Sequence, residues 1–293
     1  MLVTLDARCR GSEHIKTNKP LQDFSGSTTD RWKSYAYALV ADGHGGEKYF
    51  RSAEGSRLAV LYTAEAMNKV LKELLFYIKK KDRDVIDKTL KNLCSRILLL
   101  WREKVKLHFS ENPLTEAEEK LCEELKIELP LSEEAIYMLY GSTLLSAVYF
   151  ENFNFWFALQ IGDGKTVAIR DDNSIFYPIL EDEDMGFGVT PSLCGKNAIE
   201  RFHYKFGFEK LSGIVVMSDG MTDSFDIEKL PVFLLNIKEN AIADAEKTKV
   251  ELTAYLPTLS EQGSGDDISI AGIFVKEEES KVKKIVNKVG SLM

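Results

Sequence analysis

Residues 38–46 read ALVADGHGG: the apolar run Ala38-Leu39-Val40-Ala41 stops abruptly at Asp42, Gly43, His44, Gly45 and Gly46. The run starts at residue 34 (SYAYALVA), with Tyr35, Tyr37 and Leu39 alternating against Ala36, Ala38 and Val40. That period of two predicts a buried strand. A helical pattern begins near Glu47, so the stretch is a strand–turn–helix junction. Its glycines allow close backbone approach to whatever sits at the strand end. The Asp42 carboxylate and the Gly43 carbonyl are two hard oxygen donors, suited to magnesium or manganese. His44 stands where it could exchange a proton with a metal-held group. Taken alone, the same residues serve equally well as an ordinary polar turn.

The device recurs. Residues 213–220 (GIVVMSDG) form a second apolar strand ending in Asp219-Gly220, and Gly263-Ser264-Gly265-Asp266-Asp267 introduces the strand ISIAGIFV. Gln22-Asp23 precedes another strand, and FNFWFALQI at 153–161 ends in Gly162-Asp163-Gly164. Strand ends of one sheet share an edge, so Asp42, Asp219 and Asp266, with Asp23 and Asp163 as further candidates, can converge there. Converging carboxylates repel unless cations neutralise them. Cys9, Cys94, Cys122 and Cys194 are widely spaced with no CxxC pair. This fits reduced thiols, neither a disulfide framework nor a zinc site, and favours magnesium or manganese. Two such ions can share and acidify a water for in-line attack on phosphorus.

From Gly141 the period is two, and 142–150 with 153–161 read as a hairpin around Glu151-Asn152. Phe153, Phe155, Phe157, Leu159 and Ile161 share one face, the wall of a core. Helical spacing covers 46–80, with an interruption expected near Gly55, then 83–109 and roughly 226–255. Thr115 opens an acidic helix through a capping box. Residues 180–197 show no period and read as an exposed loop, while a charged helix is expected after 275. Residues 1–293 are expected to form a single domain with a helical elaboration at 80–138. His14, His108 and His203 read as ordinary surface or packing residues, Asp171 and Asp172 as turn residues, Asp182 and Asp184 as solvated.

A net charge of −8 disfavours nucleic acid and anionic membrane as partners. The N-terminus carries charge by residue 6, leaving no signal-peptide core, and no run approaches a membrane span of about 20 apolar residues. A cytoplasmic location and a monomer are expected.

Together ALVADGHGG, YGSTLL (140–145), QIGDGK (160–165), VMSDGMTD (216–223) and GSGDDISI (263–270) resemble, in order, the metal-dependent protein phosphatases of type 2C. The opening GSEHIKTNKPLQDFS also fits, so the resemblance spans 11–275. It implies an α+β fold, a four-layer α-β-β-α sandwich of two antiparallel sheets flanked by helices. It implies hydrolysis of phosphoserine and phosphothreonine in protein substrates with two Mg2+ or Mn2+ ions. By that resemblance Asp42 bridges both ions, the Gly43 carbonyl holds one, Asp219 and Asp266 hold the other, and Asp23 supports through water. Asp163 and Asp223 match positions that bind a third, weaker ion with Asp219, and His44 matches the general acid. Three positions depart: Asp267 where Asn is frequent, Gln22 where Glu is frequent, and Asn18 where many members carry a phosphate-binding Arg. The competing expectations are a catalytically weak phosphatase-like binding module and a small-molecule phosphatase.

Overall fold

The computed structural model describes residues 1–30, 32, 34–180, 190–226 and 228–277. The charged helix expected after 275, and Asp182 and Asp184, lie outside the described residues beyond 277 and within 181–189.

Two antiparallel sheets of five strands make the centre. One runs β1 (Leu2–Cys9), β10 (Ile268–Val275), β9 (Leu211–Met217), β6 (Lys165–Arg170), β7 (Ile175–Phe176). The other runs β2 (Phe24–Thr29), β3 (Tyr35–Ala41), β4 (Leu144–Phe150), β5 (Phe155–Ile161), β8 (His203–Gly207). The alternation in β3 sets the layers. Ala36, Ala38 and Val40 face Ile214, Val216 and Ala271 of the opposite sheet. Tyr37 and Leu39 point outward into a cluster with Met67, Leu71 and Trp101. Small residues on the inner face let the sheets approach, and large ones on the outer face fill the space under the helices.

The outer layer on this side is α2 (Ser52–Lys80) and α3 (Arg83–Glu111), with the short α4 (Glu116–Glu124) and α5 (Glu133–Leu139). On the other sheet, α7 (Leu230–Ala243) and α8 (Ala245–Gln262) cover β1, β9 and β10 through Leu234, Leu256 and Phe274. Two short helices, α1 (Ser12–Lys16) and α6 (Asp219–Thr222), follow strand ends. The result is the expected α-β-β-α sandwich.

Three local expectations change. The helix beginning near residue 46 is instead a 3-10 turn at Glu47–Tyr49 followed by α2, which runs through Gly55 unbroken. A Cβ at Gly55 would fall 1.8 Å from the Tyr140 carbonyl oxygen, so this glycine buys close packing at a cost of about 1 kcal/mol in helix propensity. Its own carbonyl accepts from Trp101 Nε1 at 3.0 Å. The 226–255 pattern divides at Asp244, whose side chain accepts from the Lys247 amide and caps α8. Finally, a 3-10 turn at Glu151–Phe153 with Asn154 left-handed takes Phe153 out of β5, leaving it partly buried against the same cluster.

The register decides where the acidic residues fall. Phe24 pairs with Ala41, Ile270 with Met217, and Lys165 with Met217. Asp23, Asp42, Asp163, Asp219 and Asp266 therefore all lie at one end of the sandwich.

Candidate metal centre

Asp42 is held by a local zipper. Its amide donates to Thr143 Oγ1 at 2.9 Å, and the Thr143 amide donates to the Asp42 carbonyl at 2.8 Å. Gly43 bridges to Ser142, and the His44 amide donates to Gly141 O at 3.1 Å. Gly43 is obligatory for space, because a Cβ there would lie 2.6 Å from Gln22 O and 2.7 Å from Ser52 O. Gly220 is equally confined, 2.0 Å from Asp267 O.

Asp42 and Asp219 have no ion-pair partner among the described residues. Burial first, then the charges of Asp23 and Asp219, push the Asp42 carboxyl well above its ordinary range, and it lies within hydrogen-bond reach of Asp219. Asp219 is raised by burial and by Asp163 and Asp266. Asp23, 3% exposed, is raised by burial, and the charge of Asp267 adds to it. Its Oδ2 accepts from Ser269 Oγ at 2.6 Å, while Oδ1 is buried with no partner. An orphaned carboxylate oxygen beside crowded acids, with no Cys among them, fits hard divalent cations: bound positive charge would relieve both the desolvation and the repulsion.

The remaining candidates differ. Asp163 accepts from Thr190 Oγ1 at 2.5 Å, and its charge reaches both Asp219 and His44. Asp223 caps α6, and no contact among the described residues joins its carboxylate to Asp163 or Asp219. Asp266, 52% exposed at its side chain, accepts from the Asp267 amide. His44 packs on Tyr49 with ring centroids 4.7 Å apart, and burial holds its imidazole below the ordinary histidine range while Asp163 opposes that shift.

Sequence reasoning missed His14. It is 8% exposed, with Nδ1 2.9 Å from Asp267 Oδ1 and Nε2 3.6 Å from Asp266 Oδ1. The three form the tight His/Asp group among the described residues. Asp267 also accepts from the Gly11 amide at 2.6 Å and the Gln22 amide at 2.5 Å, so its oxygens are already taken. The departure from Asn to Asp is thus absorbed by a histidine and two backbone donors. Gln22, the second departure, donates from Nε2 to Ser52 Oγ at 2.6 Å, tying the loop to the start of α2.

A model of the family described as protein phosphatase 2C matches residues 10–263. The chain belongs to the protein phosphatase 2C family. Among solved structures it is similar to the catalytic domain of the serine/threonine phosphatase PstP in complex with two manganese ions, at TM-score 0.55 and 14% identity over 94% of this chain and 100% of that one. PstP/Ppp of Mycobacterium tuberculosis gives TM-score 0.56 and 13% identity over 94% and 99%. The S. agalactiae serine/threonine phosphatase gives 0.53 and 15% over 94% and 100%. At these identities the likeness is one of fold. No curated protein matches the chain. The family is one of metal-dependent phosphatases, and the match covers the segments that carry Asp23, Asp42, Asp163 and Asp219.

Proposed function

We propose that this phosphatase 2C member hydrolyses phosphoserine and phosphothreonine in proteins, using two divalent cations, magnesium or manganese. The observation that carries the reading is the placement of Asp42 within hydrogen-bond reach of Asp219, beside a buried Asp23 whose Oδ1 has no partner among the described residues. The manganese in the PstP complex supports the choice of ion. Asp42, the Gly43 carbonyl, Asp219 and Asp266 would hold the ions, with Asp23 through water, and Asp163 and Asp223 at a weaker third place. Bound cations would acidify a water and neutralise the phosphate oxygens.

The chain's own residues supply the rest. The 141–143 zipper fixes Asp42 and aims His44 at the same end of the sheets. His44 would deliver a proton from its ring to the departing alkoxide, and the charge of Asp163 helps it keep that proton against burial. Residues 1–293 are read as one working unit, with α3 to α5 as its helical elaboration. Among the described residues no helix is long and apolar enough to cross a membrane, and we read the enzyme as a cytoplasmic monomer. The test is phosphate release from a phosphothreonine peptide with manganese, with excess chelator, and with Asp42→Asn. Loss of at least about 10²-fold in the last two is expected, since chelator would remove the ions and the substitution would remove a charge that would hold them. Undiminished release in either would overturn the assignment.

A further inference from the structure

We propose that an anion-binding subsite lies beside His44 and favours phosphopeptides with a second acidic group next to the phosphorylated residue. The inference rests on the phosphatase reading and adds a substrate class to it. A cavity of about 460 Å3 opens beside His44 and Tyr49, walled by the segment 190–201. It is lined by two cations, Lys196 and Arg201, and by no carboxylate among the described residues. Neither cation has an ion-pair partner among the described residues, whereas Arg51, Arg57, Lys106 and Lys210 are each engaged by a carboxylate. On a chain with a net charge of −8, two cations in one concavity with no carboxylate partner among the described residues form a local attractor for anions.

The wall is held in place from two sides. The Leu193 amide and Ser192 Oγ both donate to Ser142 O at 3.0 Å, and Ser142 is the residue bridged to Gly43. From the other side Arg102 of α3 donates to Gly195 O at 2.9 Å. The loop is therefore fixed relative to the strand end that carries Asp42 and His44, and a ligand need not pay to order it. A peptide placing its phosphate at the carboxylate cluster would pass a flanking side chain over this cavity, since an extended chain advances about 3.3 Å per residue. A carboxylate or a second phosphate would meet Lys196 and Arg201, while the Tyr49 ring and Ala198 would cover its apolar stem.

The experiment compares manganese-dependent kcat/KM for three phosphothreonine peptides whose residues on either side are Glu, phosphoserine or Gln. The acidic peptides should be preferred by about tenfold, the worth of one or two partly screened ion pairs. Phosphoserine exceeding Glu would identify phosphate as the better second group, and the reverse would identify carboxylate. In Lys196→Gln/Arg201→Gln the preference should fall toward unity, and in Lys196→Glu/Arg201→Glu it should invert toward Lys-flanked peptides. Both residues are exposed, so neither change touches the core. An unchanged ratio in both variants, or no preference in the parent while nitrophenyl phosphate is turned over, overturns the subsite and leaves the phosphatase reading standing. If no phosphate ester is hydrolysed, that reading falls, and fluorescence anisotropy of the Glu peptide decides the subsite. About tenfold weaker binding by the Gln variant supports it, and equal binding overturns it.

Discussion

Lys19 donates from Nζ to the Gly45 carbonyl at 2.6 Å, which lays its ammonium on the loop carrying His44. Lys16, the other nearby cation, is turned to Glu13 at 2.6 Å and is exposed. Asn18, where an Arg is common, has φ of 54° at the end of α1, a left-handed conformation that Asn tolerates better than most residues. Of the two lysines, Lys19 lies nearer the loop that carries His44, so it is the one expected to meet a phosphate oxygen. Lys19→Gln should raise KM for a small phosphate ester by about tenfold and alter kcat less, while Lys16→Gln should leave both in place. Asn18→Arg should bring little gain and cost about 1 kcal/mol of stability from its backbone. An unmoved KM in Lys19→Gln, measured by initial rates, would show the phosphate held without this ammonium. At this scale much was legible in the sequence, because Asp-Gly pairs at the ends of apolar strands mark backbone that must approach something. His14 was not: a lone histidine in a polar stretch carries no local signal. The hint lay elsewhere, in the second carboxylate of Asp266-Asp267, which once buried needs donors.

Among the elements, periodicity gave the helices but not the reasons for their joints. Gly55 reads as an interruption because its cost is local, while its benefit is contact with the Tyr140 backbone, remote in sequence. The attachment of the helical elaboration was equally hidden. Arg51, just before α2, binds Glu118 of α4 through Nε and Nη2, both at 2.8 Å, and donates to Asn112 O at 2.7 Å and Tyr140 Oη at 3.0 Å. This clamp ties α4 to the segment that follows His44, and the guanidinium holds the Glu118 carboxyl down to about 2. An acid held below its unfolded value adds stability above that value, about 4.3, and loses it as pH falls toward the folded one. Glu118→Gln should therefore be less stable than the parent at pH 7 by about 1–2 kcal/mol, allowing for partial exposure. The gap should close between about pH 5 and pH 2. Urea unfolding at a series of pH values measures it, and a gap that does not vary with pH would assign the loss to packing of the α4 cap instead.

For the whole molecule, the sheet order was beyond any local pattern: β1 pairs with β10, so the first and last strands meet along one edge of their sheet. The resemblance of ordered motifs implied two antiparallel sheets flanked by helices, and no strand order. The order matters because Asp23 and Asp42 belong to one sheet's end while Asp219 and Asp266 belong to the other's. Cations held among them would join the two halves of the sandwich, and without cations like charges at this end would oppose that junction. Stability and metal binding are then linked through one set of charges. Metal-free Asp42→Asn should melt a few degrees above the metal-free parent, since removing about 1 kcal/mol of repulsion is worth about 2–4 °C in a chain of this size class. Manganese should raise the parent's Tm, by an amount corresponding to about 2.7 kcal/mol per site at a hundredfold excess over Kd, and chelator should reverse it. The variant should respond far less, although it starts higher. Calorimetry with and without manganese reads all four states. A variant that melts lower than the metal-free parent and still gains fully from manganese would place the ions away from Asp42, and the two sheets would owe their junction to packing alone.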